Sequence, residues 1–470
     1  MKIEQIYTGC LAEAAYYIES NGEAAIIDPL REVEPYIEMA KERGATIKYV
    51  LETHFHADFV SGHLDLAKKT GAKIVYGPTA KPNFDAHIAK DGELLPLGDI
   101  NIKVLHTPGH TMESSTFLVQ DEKGKPHSIY TGDTLFIGDV GRPDLAVKTD
   151  LTQEDLAKHL YSSLRNKIMP LPDDVIVYPG HGQGSACGKN MSSETTDTLG
   201  NQKKTNYALR PDMSEEEFIK EVLTGLVAPP QYFPKNAVMN KMGYTSFDNV
   251  LSKGMKFLSI EAFKEQLKNE DTILIDTRHH SKFAEGFIPK SIFIGIDDNF
   301  APWMGVLIEN LEAPILMIAD EGREEEVITR MARVGYDNPI GFLKGGVEAW
   351  IVDGNEVDNL KNVSPEALAD AYREGSSKVL DVRKKSEFDS QHLEGAVNFP
   401  LDFIYKNLDQ LDASQPYTVH CAGGYRSVAA ASIMKKFGIK NITNVLGGFN
   451  AMKSIPQMPV TTFHEQTTML

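Results

Sequence analysis

The chain has 470 residues, 41% of them apolar and 24% charged, and a formal charge of −18. At roughly 100–200 residues per domain, this predicts two to four soluble domains. An acidic surface repels phosphate backbones, so nucleic acid is not an expected partner. The opening MKIEQIYTGCLAEAAYYIES has two early glutamates and no long apolar core, so no signal peptide is expected. No run reaches the roughly 18 apolar residues of a membrane span. Cys10, Cys187 and Cys421 are odd in number and far apart, which fits a reducing, cytoplasmic setting better than a disulfide framework.

The first half is rich in strand-like runs that end in His, Asp or Gly: TIKYVLETH, NIKVLHTPGH, HSIYTGD and VIVYPGH. Polar side chains carried into loops at strand ends are where α/β folds build active sites. Ser214 and Glu217 predict a capping box for a helix over SEEEFIKEVLTGL, and APPQYFP (228–234) then breaks it. A first domain boundary is expected near residue 250, within TSFDNVLSKGMKFLS, and a second within VDGNEVDNLKNVSP (352–365).

Beyond residue 250 the sequence repeats. ILIDTRHHSKF (273–283) matches VLDVRKKSEF (379–388), and GFLKGGVEAW (341–350) matches NVLGGFNAM (444–452). In the second copy KVLDV, PYTVH and NITNVL read as strands, and RSVAAASIMKKFG as an amphipathic helix stopped by Gly438. Alternating strand and helix implies parallel sheets covered on both faces.

Three potential ligands crowd the turn Thr53-His54-Phe55-His56-Ala57-Asp58. His110 follows in TPGHT, Asp133 in TGD and His181 in YPGH. A lone histidine at a strand end is usually structural, but this ordered set of imidazoles and carboxylates suits a divalent first-row metal. Spacing alone does not separate Fe from Zn. The pattern resembles the metallo-β-lactamase superfamily over about residues 1–245, which implies an αββα sandwich. In the two-metal hydrolases the signature continues with a further His, where this chain has Phe59. A phenyl ring cannot ligate, and the departure argues for the persulfide dioxygenase branch. That resemblance implies one Fe(2+) per chain on His54, His110 and Asp133, with His56, Asp58 and His181 as orienting groups behind them. It also implies O2 and a low-molecular-weight persulfide of the glutathione or coenzyme A type as substrates.

Other residues near these motifs are candidates for substrate binding. Arg142, in GDVGRPDL, could hold a carboxylate bidentately or form a structural ion pair. Tyr178 could line the pocket or pack in the core. Cys187, six residues past His181 in a Gly- and Ser-rich loop, is a candidate neighbour of the metal or a structural thiol.

His420-Cys421-Ala422-Gly423-Gly424-Tyr425-Arg426-Ser427 follows a strand and opens a helix. Backbone N–H donors and the helix dipole favour a thiolate there, and Arg426 adds positive charge. The sequence resembles the rhodanese persulfide loop over about residues 360–460. A tyrosine phosphatase would place one more residue between Cys and Arg. The resemblance implies sulfur transfer through Cys421, to sulfite or a thiol; with both motifs in one chain, sulfite as acceptor and thiosulfate as product are the expectation. Aligned by eye, the preceding copy has Asp320 at the cysteine position and dense acidic charge after it, so an inactive rhodanese fold is expected. The expected division is 1–250, 251–355 and 356–470: an αββα sandwich followed by two rhodanese domains with central parallel sheets. A homo-oligomer is expected by resemblance. Two rivals stay open: a Zn-dependent thioesterase of the glyoxalase II type with accessory rhodanese units, and a relay that passes sulfane sulfur without oxidation.

Overall fold

The computed structural model describes residues 1–146, 151–226, 228–297, 299–373, 378–456 and 458–464. It forms two units: Met1–Phe247 with Ala332–Gly335, and Asp248–Met331 with Tyr336–Leu470.

The first unit is built on two six-stranded sheets. One runs in order through β1 (Lys2–Thr8), β2 (Glu13–Ser20), β3 (Glu23–Ile27), β4 (Thr46–Glu52), β5 (Lys73–Tyr76) and β6 (His87–Ile88). The other runs from β7 (Leu94–Leu97) through β8 (Ile100–His106), β9 (Ser115–Gln120), β10 (Pro126–Gly132) and β11 (Ile176–Pro179) to β12 (Asp197–Thr198). Period-two alternation decides what faces what. Phe117 and Val119 point between the sheets, against Tyr16, Ile27 and Leu51. Leu118 points the other way, into a cluster with Leu160 and Phe218 of the helices Gln153–Ser163 and Glu215–Leu223. On the far face of the first sheet Ile26 and Val50 pack with Tyr36 and Leu66 of the helices Glu34–Glu42 and His63–Thr70. The result is helix, sheet, sheet, helix.

The expected capping box is present: Ser214 accepts from the Glu217 N–H, and the Glu217 carboxylate accepts from the Ser214 N–H. The break comes earlier than the sequence implied: the helix ends at Leu223, and the next, Phe233–Met242, begins within APPQYFP. Pro234 lies in the first turn of the helix Phe233–Met242, where its missing N–H costs no hydrogen bond.

The second unit contains two five-stranded, all-parallel sheets of identical topology. The first is ordered β13 (Phe257–Leu258), β17 (Pro339–Leu343), β16 (Ile315–Ile318), β14 (Ile273–Asp276), β15 (Ile292–Phe293). The second is ordered β18 (Lys361–Val363), β22 (Ile442–Val445), β21 (Tyr417–His420), β19 (Lys378–Asp381), β20 (Val397–Asn398). The repeat extends to atoms. Arg278 and Arg383 each fork onto the aspartate two residues before them, Asp276 and Asp381, at 2.6 Å. Each also donates to a carbonyl eight residues on, Gly286 and Gln391, at 2.8 Å.

The strand register moves the cysteine position by one residue. Asp276 pairs with Ile318, and its counterpart Asp381 pairs with His420. Ala319, not Asp320, therefore stands where Cys421 stands, and Glu324 stands at the place of Arg426. The cysteine-free loop lacks the thiol, and its arginine, Arg323, stands at the place of Tyr425 rather than Arg426 and is paired with Asp297 and Glu326. A second expectation also changes. The helix Tyr425–Lys436 is not amphipathic, because every residue from Ser427 to Met434 is buried. One side meets its own sheet, and the other meets β15 of the preceding copy, where the Phe293 N–H donates to Ser432 Oγ at 3.0 Å.

Truncating Phe117, fully buried between the sheets, leaves a cavity and is expected to cost about 3–5 kcal/mol. Ser214→Ala removes one cap and is expected to cost about 1 kcal/mol. Denaturant unfolding of the full chain checks the contrast.

Candidate functional site

Four strand ends of the first unit deliver the metal-type residues. The turn after β4 carries His54, His56 and Asp58, the loop between β8 and β9 carries His110, and the ends of β10 and β11 deliver Asp133 and His181. His54, His110 and Asp133 are all buried, with one ligand atom each lying within 4.8 Å of the others. His110 Nε2 is 3.5 Å and His54 Nε2 3.9 Å from Asp133 Oδ2.

Hydrogen bonds behind the cluster set its protonation. Thr53 Oγ1 donates to Asp28 Oδ2 at 2.8 Å, so its lone pair faces His54 Nδ1 at 3.0 Å and takes that proton. His110 Nδ1 donates to the Arg142 carbonyl at 2.9 Å. Both rings therefore turn Nε2 to the cluster, the nitrogen that ligates a metal in the tautomer with its proton on Nδ1. Burial, then the neighbouring His56, holds His54 well below the usual histidine range and keeps it neutral. Asp133 splits its oxygens. Oδ1 accepts from His181 Nδ1 at 2.8 Å, while Oδ2 is buried with no hydrogen-bond partner among the described residues. Burial alone would raise this carboxyl, but His181, His110 and His54 hold it well below the carboxylate range. An orphaned buried carboxylate oxygen beside two imidazole lone pairs fits a divalent cation of the iron or zinc kind.

His181 is the strap behind Asp133. Its Nε2 meets Asp58 Oδ2 at 2.7 Å. Burial lowers it, but the two carboxylates raise it well above the histidine range, so it donates from both nitrogens. His56 turns away from the cluster. Its Nε2 lies 3.0 Å from Asp28 and 3.6 Å from Glu52. Burial opposes its charge, but Asp28, Glu52 and Asp58 push its pKa up to about 9. Phe59 is fully buried with its ring 4.3 Å from the His56 ring.

Arg142 and Tyr178 take the structural alternatives that the sequence left open, and Cys187 lies near the cluster. The Arg142 guanidinium, buried, is forked onto Asp144 through two bonds of 2.7 Å, so its bidentate face is already filled. Its contribution to the cluster is the carbonyl that orients His110. Tyr178 packs in the inter-sheet core, stacked on Tyr130 at 5.1 Å and edge-on to Tyr16 at 5.3 Å. Cys187 does lie beside the cluster, its sulfur within 4.8 Å of donor atoms of Asp58 and His181. It is buried, and desolvation followed by Asp133 and Asp58 pushes the thiol well up, so it is a neutral S–H rather than a nucleophile.

Sequence reading missed Asp28, which ends the β3 strand and reaches Thr53 and His56 because β3 and β4 are parallel neighbours. It also missed Gly141, where a Cβ would sit 1.9 Å from the Asp133 carbonyl oxygen. The Gly in GDVGRPDL was the available signal.

In the second unit Cys421 sits at the end of β21, buried, with its sulfur accepting from the Gly424 N–H at 3.1 Å and lying 3.6 Å from Ser427 Oγ. Gly424, at φ +119°, closes the loop into the helix that begins at Tyr425. Behind it, the Phe449 N–H donates to the Cys421 carbonyl at 2.7 Å and the Asn450 N–H to the Ala422 carbonyl at 3.0 Å. A Cβ at Gly448 would strike the Cys421 carbonyl, so the GG of VLGGF is there for close approach. Arg426 does not offer the expected bare charge. Its guanidinium is forked onto Glu387 at 2.6 and 2.9 Å. The donors left to the sulfur are backbone N–H groups and the Ser427 hydroxyl.

Comparison with known proteins agrees with this geometry. The metallo-beta-lactamase superfamily model matches residues 8–181, and the rhodanese-like domain model matches 259–353 and 364–455. The hydroxyacylglutathione hydrolase GloC of Haemophilus influenzae is 34% identical over 36% of this chain and 85% of its own length. The human mitochondrial persulfide dioxygenase ETHE1 is 33% identical over 42% of this chain and 70% of its own. A crystal structure titled metallo-beta-lactamase, from Staphylococcus aureus, matches 73% of this chain and 99% of its own at 32% identity and a TM-score of 0.65. The chain belongs to the metallo-beta-lactamase superfamily and carries two rhodanese-like domains after that fold. No helix among the described residues is long and apolar enough to cross a membrane.

Two outcomes are expected. Asp133→Asn abolishes stable metal retention after dialysis, while His181→Gln weakens it about 10–100-fold by loosening the strap, measured as metal per chain against a competing chelator. His56 also makes the metal-free protein pH-sensitive. Its folded pKa, about 9, lies above the ordinary 6.5, so its stabilisation is complete below about pH 6.5 and lost as pH rises through about 9. Melting temperature should fall across that window, and His56→Gln should flatten the slope.

Proposed function

We propose that the chain is an Fe(2+)-dependent persulfide dioxygenase, with one iron per chain, coupled to a rhodanese sulfurtransferase that acts through Cys421. On this reading residues 1–250 oxidise a low-molecular-weight persulfide, 251–355 are a rhodanese fold without a catalytic cysteine, and 356–470 transfer sulfur. The thiol is of the glutathione or coenzyme A type, the setting cytoplasmic and the assembly a homo-oligomer.

The observation that carries the reading is the three-sided donor set: two imidazole Nε2 atoms and one carboxylate oxygen with no hydrogen-bond partner among the described residues. His56 is turned to Asp28, and Phe59 stands where a second-metal histidine would be. Fe(II) held by His54, His110 and Asp133 would keep open positions for substrate and supply the one-electron chemistry that O2 needs. Thr53 and the Arg142 carbonyl fix the two rings, and His181 with Asp58 fixes Asp133. The reaction balances as one persulfide, one O2 and one water giving one thiol and one sulfurous acid, the outer sulfur losing the four electrons that O2 gains. Cys421 takes a sulfane sulfur from a second persulfide. The sulfite sulfur then attacks the terminal sulfur of the Cys421 persulfide, the S–S bond breaks toward Cys421, and thiosulfate leaves. Linkage in one chain raises the concentration of sulfite available to Cys421.

The similarity to hydroxyacylglutathione hydrolases favours a second reading, thioester hydrolysis at Zn(II), with the rhodanese domains as accessories. Adding glutathione persulfide to anaerobically Fe(II)-loaded protein separates the two. Rapid oxygen uptake that His110→Ala abolishes is expected. Retained zinc, thioester cleavage and no uptake would establish the hydrolase, and persulfidation of Cys421 without uptake would leave only a sulfur relay. Cys421→Ser should convert the thiosulfate product to sulfite; an unchanged thiosulfate yield would break the coupling.

A further inference from the structure

The cysteine-free copy and the Cys421 copy belong to one compact unit, and some of their contacts reach the end of the Cys421 loop. The Tyr425 hydroxyl donates to the Gly295 carbonyl at 3.3 Å, and its ring lies edge-on to Phe293 at 5.2 Å. Farther along the same helix Lys435 pairs with Asp358 at 2.7 Å. The loop itself has an open mouth. A Cβ built at Gly423 would meet nothing within 4 Å. One built at Gly424 would meet, among the described residues, only the imidazole of His280, with Nε2 at 3.8 Å and Cδ2 at 4.0 Å.

Gly424 is the residue whose N–H holds the Cys421 sulfur. The space that a side chain of the loop would take is therefore bordered by a ring from the other copy. His280 is half-buried, and the exposed His279 lies against it with ring centroids 4.0 Å apart. The sulfur species that Cys421 exchanges, thiosulfate and sulfite, are small dianions. The loop's own cation is closed by Glu387, and the chain as a whole is strongly acidic. The donors that the loop keeps for a dianion are neutral, and the His280 ring stands beside them.

We propose that His280, contributed by the cysteine-free rhodanese copy, is a binding residue of the Cys421 site that donates a ring N–H to a sulfonate oxygen of thiosulfate or sulfite. This rests on the reading of Cys421 as a sulfurtransferase. In the forward half-reaction the Cys421 thiolate attacks the outer sulfur of thiosulfate, the S–S bond breaks, and sulfite leaves with the electron pair. In the reverse half-reaction sulfite returns that pair to the terminal sulfur and Cys421 leaves as thiolate. No oxidant is consumed, and the anion keeps its sulfonate oxygens at His280 throughout. The copy without a cysteine is then one wall of the working site rather than a spacer.

The test uses the full chain with thiosulfate as donor and cyanide as acceptor. His280→Ala should raise the KM for thiosulfate about tenfold, the worth of one hydrogen bond to a charged group, with kcat nearly unchanged. His280→Gln, which keeps an N–H donor, should restore most of the loss. Wild-type KM in both variants overturns the proposal, and so does a fall in kcat at unchanged KM, which marks a structural role. Intact mass of the wild type after thiosulfate treatment separates the two levels. If Cys421 gains no sulfur, the sulfurtransferase reading falls and this one with it. If it gains sulfur while the variants keep wild-type KM, only the role of His280 falls.

Discussion

Burying the Asp133 carboxylate, which is 2% exposed, is the constraint around which the first unit is arranged. An ionised carboxylate taken out of water costs several kcal/mol unless its oxygens are met. One oxygen is met by His181, which is itself charged because Asp58 holds its other nitrogen. The second oxygen has no hydrogen-bond donor among the described residues and faces the Nε2 atoms of two imidazoles whose Nδ1 atoms are turned to oxygen partners. The ligand set is thus a consequence of what stands behind it. Remove the Asp28–Thr53 bond or the Arg142 carbonyl, and the histidines are free to present the wrong nitrogen.

The second unit shows how one scaffold separates structure from chemistry. The Asp–Arg fork that ends β14 and β19 is the same in both copies, bond for bond, because it anchors a strand end and the helix that follows. The loops one strand away have diverged completely. Cys421 and Arg426 stand opposite Ala319 and Glu324 in the parallel register. A duplicated fold can lose its nucleophile and keep its topology, since the sheet depends on the fork and the buried β16 strand rather than on the loop.

The elements that the sequence made legible are those whose signal is local. Strand ends carrying His54, His110, Asp133 and His181, the Ser214 capping box and the loop from Cys421 to Ser427 could each be read within a dozen residues. What stayed hidden depends on pairing across the fold. Asp28 lies 25 residues before Thr53 and meets it only because β3 and β4 run side by side. Glu387 reaches Arg426 from 39 residues upstream. The Tyr425–Lys436 helix looked amphipathic because its outer face is small and partly polar, yet that face is covered by another copy of the fold. Reading Asp320 at the cysteine position failed by one residue, which strand register settles and an eye alignment does not. Arg142 is the instructive exception: its partner Asp144 was only two residues away.

Electron paramagnetic resonance of the Fe(II)-loaded full chain exposed to nitric oxide, an O2 surrogate, tests the central claim most directly. The account predicts one half-integer-spin iron–nitrosyl centre per chain, perturbed on adding glutathione persulfide, because a single ion held by His54, His110 and Asp133, as proposed, would keep adjacent positions open. Two ions per chain forming a coupled, silent pair that ignores the persulfide would contradict it.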